Sequence, residues 1–196
     1  MRRKMFRKLL AMPDEHFVPF FPIYKDFLYD MFDRSALREG ENVFDLGAGG
    51  WSLDDVRKRS YVPFVANEYG ARYVGIEVRE RLANELRQEI KRRNLERRCK
   101  VYLGDFNDPK FWPKAHKQIK PPVISNANVV VMYLDPEINQ KLAPRLRMAL
   151  VPGTRVASFQ YPLTGNDSSR EERKFWADKL IDTYIDSRDY IFTYKI

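Results

Sequence analysis

The stretch FDLGAGGWSL, residues 44–53, places three glycines behind an aspartate and follows them directly with a tryptophan. It ends a short apolar run, NVFDLG, and leads toward a region with helical apolar spacing, which predicts a strand that turns into a helix. Glycine lets the backbone approach a ligand closely, and open α/β sheets bind ligands at the carboxyl ends of their strands. The stretch therefore predicts a ligand site at the end of the first strand.

The rest of the chain alternates between short apolar runs and amphipathic segments. The predicted strands are 42–47, 73–78, 100–106, 128–134, 154–161 and 190–196. The predicted helices begin with 23–35, 52–69 and 82–95, and Pro63 interrupts the second of them. Two short helices follow around Pro144. A Ser168–Glu171 capping box opens the last helix, which runs to about 186. This alternation predicts a parallel sheet with helices on both faces.

Composition limits the class of protein. The chain has 196 residues, 44% of them hydrophobic and 14% aromatic, which argues against disorder. Its one cysteine, Cys99, excludes an internal disulfide and a cysteine cluster for zinc, and no apolar run reaches the ~20 residues of a membrane helix. We expect one cytoplasmic domain over 1–196, with a basic N-terminal arm at 1–24 before a core at 25–196. We expect neither a metal nor a membrane partner.

The net charge of +8 permits an acidic partner, either a nucleic acid or a protein. Basic residues gather near the start of the chain and in KRRNLERRCK, residues 91–100. The second cluster lies at the end of a predicted helix, where cations also suit the helix dipole, and neither cluster is an RNA-binding signature. Association with nucleic acid and a merely solvated basic surface both remain open.

Three acids follow three consecutive predicted strands, and they indicate the type of ligand. The turn is not a dinucleotide fingerprint, because the third glycine of G-x-G-x-x-G would fall at Ser52, and a phosphate-binding loop is absent. Asp45 instead suits the cationic amino-acid end of S-adenosylmethionine, Glu77 suits ribose hydroxyls, and Asp105 with Phe106 suits adenine. Each acid alone could serve a turn, a cap or a loop. Together they predict S-adenosylmethionine as the cofactor.

The same runs carry a resemblance to a known family. VPFFP (18–22), FDLGAGG, YVGIEV (73–78), GDF and the segment 129–158 resemble the seven-strand protein lysine methyltransferases, and most closely the small archaeal enzymes related to the disruptor-of-telomeric-silencing methyltransferases. The resemblance implies an α/β, single-domain, Rossmann-like doubly wound sheet, mostly parallel with an antiparallel C-terminal strand. It also implies a protein substrate with an accessible lysine. The implied cofactor-binding residues are Phe20, Pro22, Asp45, Gly47, Ala48, Gly49, Trp51, Glu77, Val78, Asp105 and Phe106.

The chain departs from the family pattern at the glycine turn and before the first helix. Family members usually carry a polar pair, often Asp-Gly, where this chain has Gly50-Trp51, and often a threonine where it has Ile23. Two roles are open for Trp51: covering the amino-acid end of the cofactor, or packing under the first helix.

Methyl transfer to lysine needs a neutral amine, which apolar aromatic walls favour because they disfavour charge. Tyr133, Phe20 and Phe21 are the candidate walls, although each could be a core aromatic. Tyr133 and Asp135 are the candidate catalytic residues, and Asp135-Pro136 could equally be a helix start. Base-methylating enzymes of this fold carry [DN]-P-P-[FYW] after the fourth strand, whereas this chain continues with Glu137-Ile138. The alternatives are a methyltransferase acting on RNA or another nucleic acid, and a cofactor-binding protein with little activity.

Overall fold

The computed structural model describes residues 22–106, 124–186 and 189–196. The strands in these ranges are β1 Asn42–Leu46, β2 Arg72–Glu77, β3 Cys99–Leu103, β4 Val129–Met132, β5 Arg155–Phe159, β6 Leu180–Asp186 and β7 Asp189–Lys195. They form one seven-stranded sheet in the order β3-β2-β1-β4-β5-β7-β6. The first five strands are parallel, and β7 runs antiparallel to β5 and β6. The predicted mostly parallel sheet with an antiparallel C-terminal strand is confirmed.

Helices cover both faces of this sheet. They are α1 Lys25–Arg34, α2 Val62–Glu68, α3 Glu80–Arg92, α4 Pro136–Ala149 and α5 Arg170–Lys179. Alternate residues of the buried central strand β4 point to opposite faces: Val129 and Val131 join the core that contains α1, α2 and α3, while Val130 and Met132 join the core that contains α4 and α5. The predicted doubly wound arrangement is therefore also confirmed. None of these helices is both long and apolar enough to span a membrane.

The strand order brings the predicted ligand site together. The order reverses beside β1, which lies between β2 and β4, and such reversal points are where open α/β sheets bind ligands. The amides of Gly47 and Ala48 both donate to the carbonyl oxygen of Ile76, at 3.0 and 2.9 Å. The amide of Gly104 donates to the carbonyl oxygen of Glu77 at 3.0 Å. The ends of β1, β2 and β3 therefore form one hydrogen-bonded edge.

The segment 52–69 is not the interrupted helix that its spacing predicts. Trp51 and Arg59 form an antiparallel bridge around a 3₁₀ turn at Val56–Lys58, and α2 begins only at Val62. Pro63 lies in the first turn of α2, where its missing amide hydrogen removes no helical hydrogen bond. The proline thus opens the helix and does not divide it.

Two details near the carboxyl-terminal half also differ from the prediction. Residues 136–149 form one helix with Pro144 inside it, because the proline ring faces solvent, where the carbonyl it leaves unbonded can be hydrated. The N-cap of α5 is Ser169, whose hydroxyl accepts from the amide of Glu172 at 3.1 Å, one residue beyond the predicted cap.

The predicted extension of the last helix to about 186 is wrong. The helix α5 ends at Lys179, and Leu180–Asp186 form the edge strand β6, which makes a hairpin with β7. The residues Ile181, Thr183 and Ile185 are β-branched and favour extended backbone. They are exposed, so no alternation of buried and polar positions marks the strand in the sequence.

Candidate active site

The glycine turn after β1 has the backbone that only glycine adopts easily. Gly47 and Gly49 have φ values of +93° and +67°. At Gly47 a Cβ atom would also lie 2.9 Å from Cδ2 of Leu134, so the turn packs directly against the chain that leaves β4. Ala48 is buried between these glycines. The predicted cofactor turn is thus held beside the end of the strand that leads to the candidate catalytic residues.

Asp45 is buried beneath the turn and is bonded to a residue that the sequence analysis missed. Its Oδ2 accepts a hydrogen bond from the hydroxyl of Tyr73 at 2.8 Å. The Tyr73 side chain reaches Asp45 across Gly75, where a Cβ atom would lie 2.4 Å from the hydroxyl oxygen. Burial raises the pKa of Asp45 to about 7; the Tyr73 hydrogen bond opposes this rise and the charge of Glu77 adds to it.

Glu77 ties the turn to the end of β2. Its buried carboxylate accepts from the amide of Gly49 at 2.8 Å through Oε2. Through Oε1 it accepts from the amide and Nε of Arg79, at 2.9 and 3.2 Å. Glu77 therefore supports the conformation of the glycine turn, and its contact with ribose hydroxyls stays a prediction. Arg79 was not found by sequence reasoning, because no spacing rule marks a residue that pairs two positions back.

Of the remaining predicted cofactor residues, three follow strands that end at this edge. Val78 follows β2 and is half-buried, as are Asp105 after β3 and Pro22 before α1. Phe106 is buried against the second core, and its carbonyl accepts from Nη1 of Arg145 at 3.3 Å. Phe20 and Phe21 lie outside the described residues.

The geometry of Trp51 favours packing over a lid. Its buried ring meets the rings of Tyr61 and Phe64 edge-on, at centroid distances of 5.3 and 5.1 Å. The guanidinium groups of Arg59 and Arg93 lie 5.2 and 4.9 Å from its ring centroid.

The neighbouring Gly50 lies against α3. A Cβ atom at position 50 would lie 2.7 Å from Cδ2 of Leu82 and 2.8 Å from Oε2 of Glu85, so these two side-chain ends would have to move to admit a larger residue.

Several aromatic residues lie at the ends of β4 and β5. Tyr133 meets the ring of Phe159 edge-on at 4.9 Å, and Phe159 contacts Phe27 of α1 at 5.3 Å. Burial raises the pKa of Tyr133, and the nearby groups of Tyr161, Asp189, Asp135 and Tyr24 add to the rise. Tyr133 therefore stays a neutral phenol near neutral pH. We call Tyr24, Phe27, Tyr133, Phe159 and Tyr161 the aromatic pocket.

Acids lie near this pocket. Asp135 occupies the N-cap position of α4, as its Asp-Pro sequence predicts, but its side chain makes no capping hydrogen bond. Asp189, at the start of β7, accepts a hydrogen bond from the side chain of Gln160. Of the five rings, Phe159 is buried in the core, Phe27 and Tyr133 are half-buried against it, and Tyr24 and Tyr161 are exposed near the two carboxylates.

A buried amide supports the loop that carries Tyr161. The Nδ2 group of Asn139, in the first turn of α4, donates to Oγ of Ser158 and to the carbonyl oxygens of Tyr161 and Pro162, at 3.3, 3.2 and 3.3 Å. Ser158 also donates to the Tyr161 carbonyl at 2.6 Å. Sequence reasoning missed both residues. The signal was an asparagine on the apolar face of α4, three positions before Leu142.

Comparisons with known proteins agree with this fold. The chain is 25% identical over 149 residues to a protein-lysine N-methyltransferase of Saccharolobus islandicus, covering 76% of this chain and 80% of that protein. A crystal structure of an RNA methyltransferase from Salinibacter ruber, in complex with S-adenosyl-L-homocysteine, has 26% identity and a TM-score of 0.67, covering 91% of this chain and 94% of that one. No family model matches the chain.

A more distant structure shares the fold alone. The SAM-dependent O-methyltransferase from Thermotoga maritima has 13% identity and a TM-score of 0.61, with 91% of this chain and 68% of that chain covered. The acceptors named for these three proteins differ, whereas the two solved structures share the fold of this chain. Together with the seven-strand sheet, these likenesses identify the chain as a seven-strand S-adenosylmethionine-dependent methyltransferase.

Proposed function

We propose that this protein transfers methyl groups from S-adenosylmethionine to lysine side chains of proteins. The observation that carries the proposal is the aromatic pocket at the ends of β4 and β5, which has carboxylates near it. The contact of Gly47 with Leu134 puts this part of the molecule next to the glycine turn.

The glycine turn and its acids fit a cofactor with a cationic end. Asp45 and Glu77 are two buried carboxylates beside the glycine turn, and Arg79 pairs with Glu77. Burial, with the charge of Glu77, raises the pKa of Asp45, so an ammonium group near Asp45 would stabilise its charged form. S-adenosylmethionine supplies an activated methyl group when bound. Asp45, Gly47, Gly49, Glu77 and Asp105 are the residues that we expect to hold it.

The pocket prepares the amine that receives the methyl group. The carboxylates of Asp135 and Asp189 attract a lysine ammonium to the pocket. Inside, the rings of Phe27, Tyr133 and Phe159 disfavour the charged form and lower the pKa of the amine, which favours the neutral nucleophile. Because transfer is an in-line displacement, holding the amine still between rigid rings contributes directly to the rate.

The similar proteins support two different methyl acceptors, protein lysine and RNA. The similarity to the Saccharolobus islandicus enzyme supports protein lysine, and the similarity to the Salinibacter ruber structure supports RNA as the second candidate. The sequence after β4 favours lysine, because Glu137 and Ile138 stand where base-methylating enzymes carry a proline and an aromatic residue.

The test uses cofactor labelled in its methyl group, cell extract, and parallel treatment of the products with protease and nuclease. We expect the label to be lost only after protease treatment and mass spectrometry to locate it on lysine. Label found on RNA, with none on lysine, would contradict the proposal.

Two variants of one residue connect the activity to the pocket. Tyr133→Ala removes a wall, and we expect it to lower turnover at least ~10-fold while cofactor affinity stays within about twofold. Tyr133→Phe keeps the wall, and we expect it to retain most of the activity. Equal losses in both variants would instead assign the role to the hydroxyl.

A further inference from the structure

The structure joins two basic segments that are distant in sequence. Residues 57–59 and 91–100 together contain nine cations and one acid, Glu96. Arg59 from the first segment and Arg93 from the second both lie over the ring of Trp51. Lys100 is excluded, because it alternates in β3 with Cys99 and Val101 and therefore points to the opposite face of the sheet. The other cations form one surface beside α2 and α3, in which Asp55 pairs with two of them. We call it the basic face; its cations are Arg57, Lys58, Arg59, Lys91, Arg92, Arg93, Arg97 and Arg98.

Several arginines of the basic face are held in place by the fold. Glu89, itself buried, pairs with Arg92 and Arg93, both at 2.7 Å. Arg98 donates to the carbonyl oxygen of Gly70 at 3.2 Å. One carboxylate shared by two guanidinium groups leaves a net positive charge, and the fixed geometry reduces the entropy lost when a ligand binds. The face is thus an ordered array of cations.

We propose that the basic face binds the phosphate backbone of a nucleic acid without reading its sequence. Six of its eight cations are arginines, whose planar guanidinium groups match phosphate geometry. The aromatic residues under the face, Trp51 and Phe64, are buried and offer no surface for stacking on bases. Contacts to phosphates alone position a protein on nucleic acid and give strongly salt-dependent affinity.

This surface adjoins the proposed acceptor pocket at one end, where Arg57 lies near enough to Tyr24 to interact with it electrostatically. The rest of the basic face accompanies α2 and α3 over the β1–β3 half of the sheet, whereas the pocket lies at the ends of β4 and β5. Nucleic acid bound along residues 91–98 would leave the pocket accessible, and it would be a scaffold that brings a protein substrate near, with no methyl group transferred to it. The binding itself does not depend on the identity of the methyl acceptor.

Fluorescence anisotropy with two labelled probes, a duplex DNA and a single-stranded RNA of arbitrary sequence, tests the proposal on the full chain. The triple variant Lys58→Glu/Lys91→Glu/Arg97→Glu changes three exposed cations of the face. The matched control Arg170→Glu/Lys174→Glu/Lys195→Glu makes the same charge change at exposed positions of α5 and β7. Cofactor affinity and circular dichroism verify that both variants are folded.

We expect the face variant to bind roughly 10- to 100-fold more weakly and with a smaller salt slope, and the control to lose much less. The probe that binds more tightly identifies the type of nucleic acid. Three results would overturn the proposal: no binding of either probe at low salt, equal losses in both variants, or polyglutamate competing as well as nucleic acid at equal charge. The last result would assign the face to acidic proteins.

Discussion

Asp45 and Glu77 each have a structural role in addition to the ligand role that their sequence positions predict. The carboxylate of Asp45 accepts a hydrogen bond from the hydroxyl of Tyr73, and the carboxylate of Glu77 accepts one from the amide of Gly49. Both carboxylates therefore connect β1 to β2. A substitution at either residue will therefore change both the turn and the cofactor affinity. Experiments on these residues need measurements that separate the two effects.

Asp45→Asn separates charge from shape at the first position. The pKa of Asp45 is raised from 3.8 to about 7 in the folded protein, so the folded state retains a proton that the unfolded chain releases between these values. The stability from this group is complete below the lower value and falls as the pH rises to about 7. We expect the stability of the variant, relative to the unchanged protein, to increase across this range by at most ~1.4 kcal/mol per pH unit.

Urea unfolding of both proteins at several pH values measures this difference. Other groups titrate equally in the two proteins and cancel. Above pH about 7 the difference should become constant, because Asp45 is then ionised in both states. A difference that does not vary with pH would show that Asp45 keeps an ordinary pKa.

Glu77→Ala tests the central cofactor prediction. We expect S-adenosylmethionine binding to weaken by about 1–3 kcal/mol, because the ribose hydroxyls lose a charged acceptor and the Gly49 amide loses its partner. Titration calorimetry measures the affinity, and thermal unfolding shows whether the variant is folded. Glu80→Ala, an exposed acid three residues later, is the control. Unchanged affinity in folded Glu77→Ala would remove Glu77 from the cofactor site.

The loop from Ser158 to Leu163 depends on the first turn of α4. The side chain of Asn139 is fully buried, and its amide nitrogen donates hydrogen bonds to three acceptors of this loop. We expect Asn139→Leu to lower stability by roughly 1–3 kcal/mol, because buried acceptors would lose their donor. Since Tyr161 belongs to the aromatic pocket, we also expect KM for the methyl acceptor to rise while cofactor affinity stays unchanged.

Steady-state kinetics with both substrates checks this prediction. Lys141→Ala, an exposed residue of the same helix, is the control. A variant with weakened cofactor binding and an unchanged KM for the acceptor would place the influence of Asn139 on the other side of the site.

Most elements were predictable because their sequence patterns are local. Continuous apolar runs such as VVVM in β4 predict strands buried on both faces, and Leu82, Leu86 and Ile90 predict α3. The edge strand β6 was not predictable in this way. Its partner β7 determines its conformation, and its exposed residues carry no pattern of burial.

The candidate active site likewise has a part that local sequence patterns predict and a part that depends on contacts between distant residues. The positions of Asp45, Glu77 and Asp105 at the ends of neighbouring strands follow from the strand order, so the edge of the sheet could be predicted. The partners Tyr73, Asn139 and Arg93 could not, because their contacts cross 19 to 42 positions of sequence and depend on side-chain packing. Such contacts favour the packing role of Trp51, and because they depend on the fold, two roles remained open in the sequence.

The charge of the whole molecule predicts how ionic strength will act on the proposed reaction. A protein of net charge +8 repels an isolated lysine-rich substrate, and salt screens that repulsion. We therefore expect methylation of a free basic protein to accelerate between about 0.02 and about 0.2 M salt. When the same substrate is bound to nucleic acid, the basic face is attracted to the complex, and we expect salt to slow the reaction. Initial rates measured across this range of salt, with and without nucleic acid, give the salt dependence of the reaction on each substrate. The Lys58→Glu/Lys91→Glu/Arg97→Glu variant lowers the net charge from +8 by 6 to +2. It should therefore lose the slowing on the complex and also show a weaker acceleration on the free substrate. Rates that fall equally with salt on both substrates would contradict the electrostatic argument.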